Sequence, residues 1–163
     1  MPPTDGIQVP DVDLDAALAT ELRDHRGETR KLTDFRGHHV VVYFYPMDDT
    51  PGCTVEGKEF RDQFEQFEAL GAVVIGVSTD SVERHRAFVD KHAFPFILLA
   101  DPDGNLARAF GVLRGGVAAR STFVLDHDLH LRRAFHDVTP RGHAAQILNF
   151  VRSLVESHRM IGG

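Results

Sequence analysis

The run Val40-Val41-Val42-Tyr43-Phe44-Tyr45 constrains the fold of this chain more than any other feature. No polar residue interrupts it, its side chains are β-branched or aromatic, and Gly37 and Pro46 bound it. A strand with one face in water alternates apolar and polar residues. A run that is apolar at every position buries both faces, which puts it at the centre of a sheet covered on both sides.

The pattern on either side builds such a sheet. Val73-Val74-Ile75-Gly76-Val77 reads as a second buried strand and Phe96-Ile97-Leu98-Leu99 as a third. A helix is expected from about Cys53 to Ala69, with Phe60, Phe64 and Phe67 on one stripe and Gly71 ending it. Asp80-Ser81-Val82-Glu83 predicts the cap of a helix through about His92, with Ala87 and Phe88 facing in. Asn105 to Phe110 predicts a short helix closed by Gly111, and Gly115-Gly116 a turn. Ser121 to Asp126 and His130 to Phe135 read as a hairpin around Asp126-His127-Asp128. A last helix from about Arg141 to Glu156 turns Ile147, Phe150, Val151 and Leu154 inward. Ahead of the core, the segment from Leu18 to Leu32 reads as a hairpin turning at Arg26-Gly27. Residues 1–15, rich in Pro and Asp, are expected to be loosely ordered. Strands alternating with helices, then a late hairpin, predict an α/β fold with a mixed central sheet flanked by helices. That order suits a thioredoxin-like domain with an N-terminal hairpin extension. At 163 residues, without repeats or linkers, residues 1–163 are expected to form one domain.

Composition removes several function classes. The formal charge is -6, and no basic tract offsets it, so neither nucleic acid nor an anionic membrane is an expected partner. No apolar run approaches the roughly 18 residues that span a bilayer. Met1-Pro2-Pro3-Thr4-Asp5 lacks the features of a signal peptide, and a cytoplasmic location is expected. The ten histidines include His38-His39, His127-Asp128-Leu129-His130 and His136-Asp137. None of these has zinc-site spacing, so surface or hairpin roles are expected and no metal site. The sequence holds one cysteine, which excludes an intramolecular disulfide and a cysteine-rich zinc site.

That cysteine, Cys53, falls just past the first buried strand, in the first turn of the next helix. Sites in open α/β sheets form in the crevice beyond the carboxyl ends of strands. A helix N-terminus offers unpaired N–H groups and partial positive charge, and both favour a thiolate. Pro46, Thr50, Pro51 and Gly52 stiffen a loop whose N–H groups can form an anion nest, and the Thr50 hydroxyl falls within reach of the sulfur. A lone cysteine can also be a small buried hydrophobe. Position alone leaves both readings open.

The segment Tyr43-Phe44-Tyr45-Pro46-Met47-Asp48-Asp49-Thr50-Pro51-Gly52-Cys53-Thr54-Val55-Glu56 resembles the active-site segment of peroxiredoxins. Its Thr-Pro-Gly-Cys-Thr run is similar to that of the bacterioferritin-comigratory-protein, or Q-type, subfamily. Leu32-Thr33-Asp34-Phe35-Arg36-Gly37, Gly76-Val77-Ser78-Thr79-Asp80 and Arg120-Ser121-Thr122-Phe123-Val124-Leu125-Asp126 resemble further family segments in the right order. The resemblance implies a peroxidatic Cys53, a Thr50 that bonds thiolate and peroxide, and a Pro46 that shields the sulfur. Arg120 would complete the site, a role that suits a permanently charged group with several donors. Glu56 matches a family acid that orients this arginine, and it equally suits a first helical turn as a carboxylate.

Many Q-type members carry a resolving cysteine five residues after the peroxidatic one, where this chain has Lys58. Lys58 reads as a solvated surface lysine. The expected activity is a one-Cys thiol peroxidase for hydrogen peroxide and small organic hydroperoxides, without metal, haem or flavin. Its sulfenic acid would be resolved by an external thiol: thioredoxin, glutaredoxin or a small thiol. A peroxide sensor that relays oxidation to a partner protein is the alternative, and an inert thioredoxin-like binding module the third reading. The subfamily resemblance implies a monomer, with a weak dimer as the alternative.

Overall fold

The uninterrupted apolar run becomes the strand His39–Phe44, buried at every position. The computed structural model describes residues 9 and 11–162. They begin with α1 (Leu14–Ala19), the hairpin β1 (Leu22–Asp24) and β2 (Thr29–Arg30), and a 3-10 turn at Leu32–Phe35. The core follows as β3 (His39–Phe44), α2 (Pro51–Asp62), α3 (Phe64–Ala69), β4 (Ala72–Ser78), α4 (Val82–His92), β5 (Ile97–Ala100) and α5 (Asn105–Ala109). A small hairpin, β6 (Leu113–Arg114) and β7 (Val117–Ala118), precedes β8 (Ser121–Leu125), β9 (Leu131–Phe135) and α6 (His143–Gly162).

Seven strands form one sheet in the order β2-β1-β5-β4-β3-β8-β9. β3 runs parallel to β4 and antiparallel to β8, so the sheet is mixed and its arrangement thioredoxin-like. Period-2 alternation sends the two halves of β3 to different cores. Val41, Tyr43 and the adjoining Tyr45 join Phe60, Phe67, Phe88, Ile147 and Val151 on one side. Val40, Val42 and Phe44 join Leu32, Leu106, Phe110 and Phe123 on the other. Helices α2, α3, α4 and α6 therefore cover one face, and α1, α5 and the 3-10 turn the other.

Four expectations change. The segment before the first hairpin is helical, not strand: Asp13 Oδ1 accepts from the Ala16 N–H at 3.1 Å and caps Leu-Asp-Ala-Ala-Leu-Ala, which buries Ala17. Of residues 1–15, expected to be loosely ordered, 1–8 and 10 lie outside the described part, and Asp13 N–H docks on Ala109 O at 2.7 Å. The single helix expected from Cys53 to Ala69 starts earlier, at Pro51, and divides at Gln63. There the ladder tightens, with Gln66 N–H donating to Gln63 O at 3.0 Å. The spacing of Phe60, Phe64 and Phe67 does not register this, because side-chain periodicity reports a face and not the backbone bonds beneath it. On α4 the inward residues are His85, Phe88 and Val89, and Ala87 is exposed. The last helix begins at His143, after Gly142 at φ 84°, and continues to Gly162.

Sheet packing is tight where aromatics cross neighbouring strands. Gly76 pairs with Tyr43 on one side and Leu98 on the other. A Cβ at Gly76 would meet Leu98 Cδ2 at 2.6 Å and Tyr43 Oη and Cζ at 2.9 Å. Gly76→Ala is therefore expected to destabilise the fold by about 1–3 kcal/mol, the range for overpacking a filled core. Denaturant unfolding measures it, and an unchanged midpoint would contradict this packing.

Candidate active site

Cys53 owes its position to how α2 begins. Thr50 is the N-cap, with extended backbone at φ -91° and ψ 156°, and Pro51 occupies the first turn, where its fixed φ suits a helix and its missing N–H costs nothing. The first helical backbone bond runs from Thr54 N–H to Thr50 O at 2.9 Å. The N–H groups of Gly52 and Cys53 precede that ladder, so the helix offers them to the site. Cys53 itself is buried, with 2% of its surface exposed.

Arg120, just before β8, reaches across the sheet to this turn. Its Nη2 donates to Cys53 Sγ at 3.4 Å and its Nη1 to Glu56 Oε1 at 2.8 Å. Cys53 and Glu56 are three residues apart on α2 and so share a face, which lets one planar fork engage both. Gly52 clears the approach: a Cβ there would lie 3.1 Å from Arg120 Nη2 and 3.4 Å from Pro140 Cγ. Burial opposes the charge on Arg120, yet Cys53 and Glu56 outweigh it and hold its pKa above the ordinary value. Glu56 is fully buried and its Oε2 has no hydrogen-bond partner. That burial pushes its carboxyl up to about 7 against the pull of Arg120.

The structure thus brings Cys53, Arg120 and Glu56 together. Thr50 and Pro46 lie in the adjoining loop, both half-buried. The Thr50 hydroxyl donates to Met47 O at 2.8 Å, so its proton points into the loop and not to the sulfur. Lys58, at the position of the missing resolving cysteine, is exposed.

Residues the sequence reading passed over hold this loop. Asp48 is buried, and its carboxylate accepts from Tyr45 Oη and lies 2.6 Å from His85 Nδ1. His85 Nε2 sits 2.9 Å from Leu99 O, which can only accept, so Nε2 carries a proton. A further proton must lie between His85 Nδ1 and Asp48. Asp80 adds a second anchor, its Oδ2 accepting from Asp48 N–H at 2.8 Å and from Ser78 Oγ at 2.6 Å. Asp49, at φ 63°, takes the left-handed conformation that Asp tolerates. The signal for His85 was its spacing: it stands three and four residues before Phe88 and Val89, on their face of α4.

Comparison with known proteins agrees with this architecture. The model of the AhpC/TSA family matches residues 7–134. Peroxiredoxin Bcp of Bacillus subtilis (strain 168) is 43% identical over 145 residues, covering 83% of this chain and 92% of that protein. Chloroplastic peroxiredoxin Q of Sedum lineare is 40% identical over 137 residues, covering 82% and 74%. Among solved structures, the bacterioferritin comigratory protein of Xanthomonas campestris, described for alkyl peroxide reduction activity, has a TM-score of 0.83 at 36% identity, with 86% of this chain and 95% of that one covered. A thioredoxin-like fold in this company defines a thiol-dependent peroxidase. The chain belongs to the AhpC/TSA family, among the peroxiredoxins of the Bcp and peroxiredoxin Q kind. Among the described residues no helix is long and apolar enough to cross a membrane.

The buried carboxyl has a consequence for pH. A group whose pKa is about 7 when folded and 4.5 in the reference state binds its proton more tightly in the native protein. It therefore withdraws stability as pH rises from about 4.5 to about 7. Glu56→Gln removes this slope, so thermal unfolding at several pH values should show the variant gaining on the parent across that window, by at most about 3 kcal/mol. A constant difference would show that Glu56 titrates normally.

Proposed function

We propose that Cys53 is the peroxidatic nucleophile of a one-Cys cycle completed by an external thiol. The observation that carries this reading is the Arg120 fork, with one nitrogen 3.4 Å from Sγ and another 2.8 Å from Glu56. A guanidinium at that distance stabilises a thiolate, and its donors suit the charge that grows on the departing oxygen. The thiolate attacks the terminal oxygen of a hydroperoxide as the O–O bond breaks. Cys53 becomes a sulfenic acid, and the other oxygen takes up a proton and leaves as water or alcohol. Thr50, whose own proton is engaged by Met47, accepts the hydrogen of the bound hydroperoxide through a lone pair. Pro46 limits water near the sulfur.

Resolution follows from the single cysteine. An external thiol attacks the sulfenic sulfur, releasing water and leaving a mixed disulfide. A second thiol then frees Cys53. With Sγ so deeply buried, the first turn of α2 must open before a bulky thiol reaches it. Hydrogen peroxide and small organic hydroperoxides are the substrates, and thioredoxin, glutaredoxin or a small thiol is the reductant. The seven-stranded sheet shared by the described residues supports one domain. The proposed cycle runs in a monomer in the cytoplasm, where thiol reductants keep such a cysteine reduced.

Mass spectrometry after one equivalent of peroxide should show one added oxygen on the protein and no disulfide within the chain. Cys53→Ser should show neither that oxygen nor steady peroxide consumption with any reductant. Consumption at the parental rate by Cys53→Ser would refute the assignment. Rapid oxidation that no reductant turns into steady consumption would favour the relay over the peroxidase.

A further inference from the structure

Three histidines far apart in the sequence meet at the end of β3 opposite to Cys53. His39 opens β3, His127 lies in the turn between β8 and β9, and His158 stands on the late turns of α6. Their ring centroids are 5.5, 5.3 and 5.1 Å apart, pair by pair. One ring nitrogen from each lies within 4.8 Å of the other two. His39 Nε2 and His158 Nδ1 are 3.3 Å apart. Around a tetrahedral metal with bonds of about 2.0–2.1 Å, neighbouring ligand atoms stand about 3.3–3.4 Å apart. This pair already has the length of one edge of such a tetrahedron.

We infer that His39, His127 and His158 form a binding site for a divalent transition metal, with Zn2+ the ion their chemistry fits, and water in the fourth position. His39 is 8% exposed and fixed on a central strand, whereas the His127 side chain is 46% exposed and gives the ion a way in. Asp128 Oδ2 lies 3.5 Å from His127 Nε2, so it would orient that imidazole if the ion is bound through Nδ1.

Arg132 sets the protonation of the metal-free cluster. Its Nη1 lies 3.3 Å from His158 Nε2, and a guanidinium only donates. His158 Nδ1 then carries the proton that His39 Nε2 accepts. Metal binding at Nδ1 moves that proton to Nε2 and turns Arg132 wholly to Asp126 Oδ2, which it already meets at 3.2 Å. The ion would tie α6 and the β8–β9 turn to the start of β3. Six residues of strand, at roughly 3.3 Å each, separate it from the cysteine end, so its role is structural.

The test uses the full chain as Cys53→Ser, which removes the one thiolate that would compete for the ion. Titration with Zn2+ by calorimetry should give one ion per chain, and the bound ion should raise the melting temperature. His127→Ala, at a site open to solvent, should lower affinity by more than the roughly 10–100-fold typical of losing an outer hydrogen-bond partner. His158→Ala should do the same, and neither variant should keep the rise in melting temperature. Co2+ should give a tetrahedral absorption spectrum that both variants lose. Absence of saturable binding, or equal affinity in the parent and both variants, would overturn the site and leave a hydrogen-bonded histidine cluster.

Discussion

The site depends on one buried guanidinium. Arg120 is charged and its side chain is only 18% exposed, so it needs anionic partners on the spot. Glu56 Oε1 lies 2.8 Å from one guanidinium nitrogen, and Cys53 Sγ lies 3.4 Å from the other. These two partners differ in kind. Glu56 has one oxygen bonded and one without a partner, and burial raises its affinity for a proton. Cys53 Sγ is the second group the fork reaches, and in the proposed cycle it is the one that reacts.

The rest of the fold serves that contact. β3 and β8 pair antiparallel, which brings Arg120, at the entry to β8, beside the exit of β3 where the Cys53 loop begins. Gly52 leaves the space that Arg120 crosses. The loop is pinned from below by Tyr45, Asp48 and His85, a buried set with its hydrogen bonds made, and from the side by Asp80. A buried polar network of this sort fixes geometry more than it adds stability. Here it holds the start of α2 at the distance the fork requires.

Much of this was legible in the sequence, and for identifiable reasons. The β-branched and aromatic run Val40–Tyr45 reads as a doubly covered strand, whereas Pro51-Gly52, expected in the loop, forms the first turn of the helix that carries Cys53. Arg120 was legible only by resemblance, because its contact with Cys53 is long-range and no local pattern encodes it. Asp48 and His85 were missed because a polar side chain counts against a core position unless its partner is known. The histidines illustrate the same limit. His39, His127 and His158 are scattered along the chain, so a search for zinc-site spacing passes them by, and only the closing of β3, the β8–β9 turn and α6 brings them together. The Asp13 cap was hidden in a Pro- and Asp-rich segment whose composition argued for disorder while its six helical residues favoured a helix.

The central claim is that a forked cation, and not charge alone, makes Cys53 reactive. Arg120→Lys keeps the charge and removes the fork. Rapid mixing of each protein with hydrogen peroxide, followed by trapping of the sulfenic acid, gives the rate of Cys53 oxidation directly. The account predicts a fall of about 100-fold in Arg120→Lys, the scale of losing one donor aimed at a developing charge. A rate equal to the parent's would contradict it.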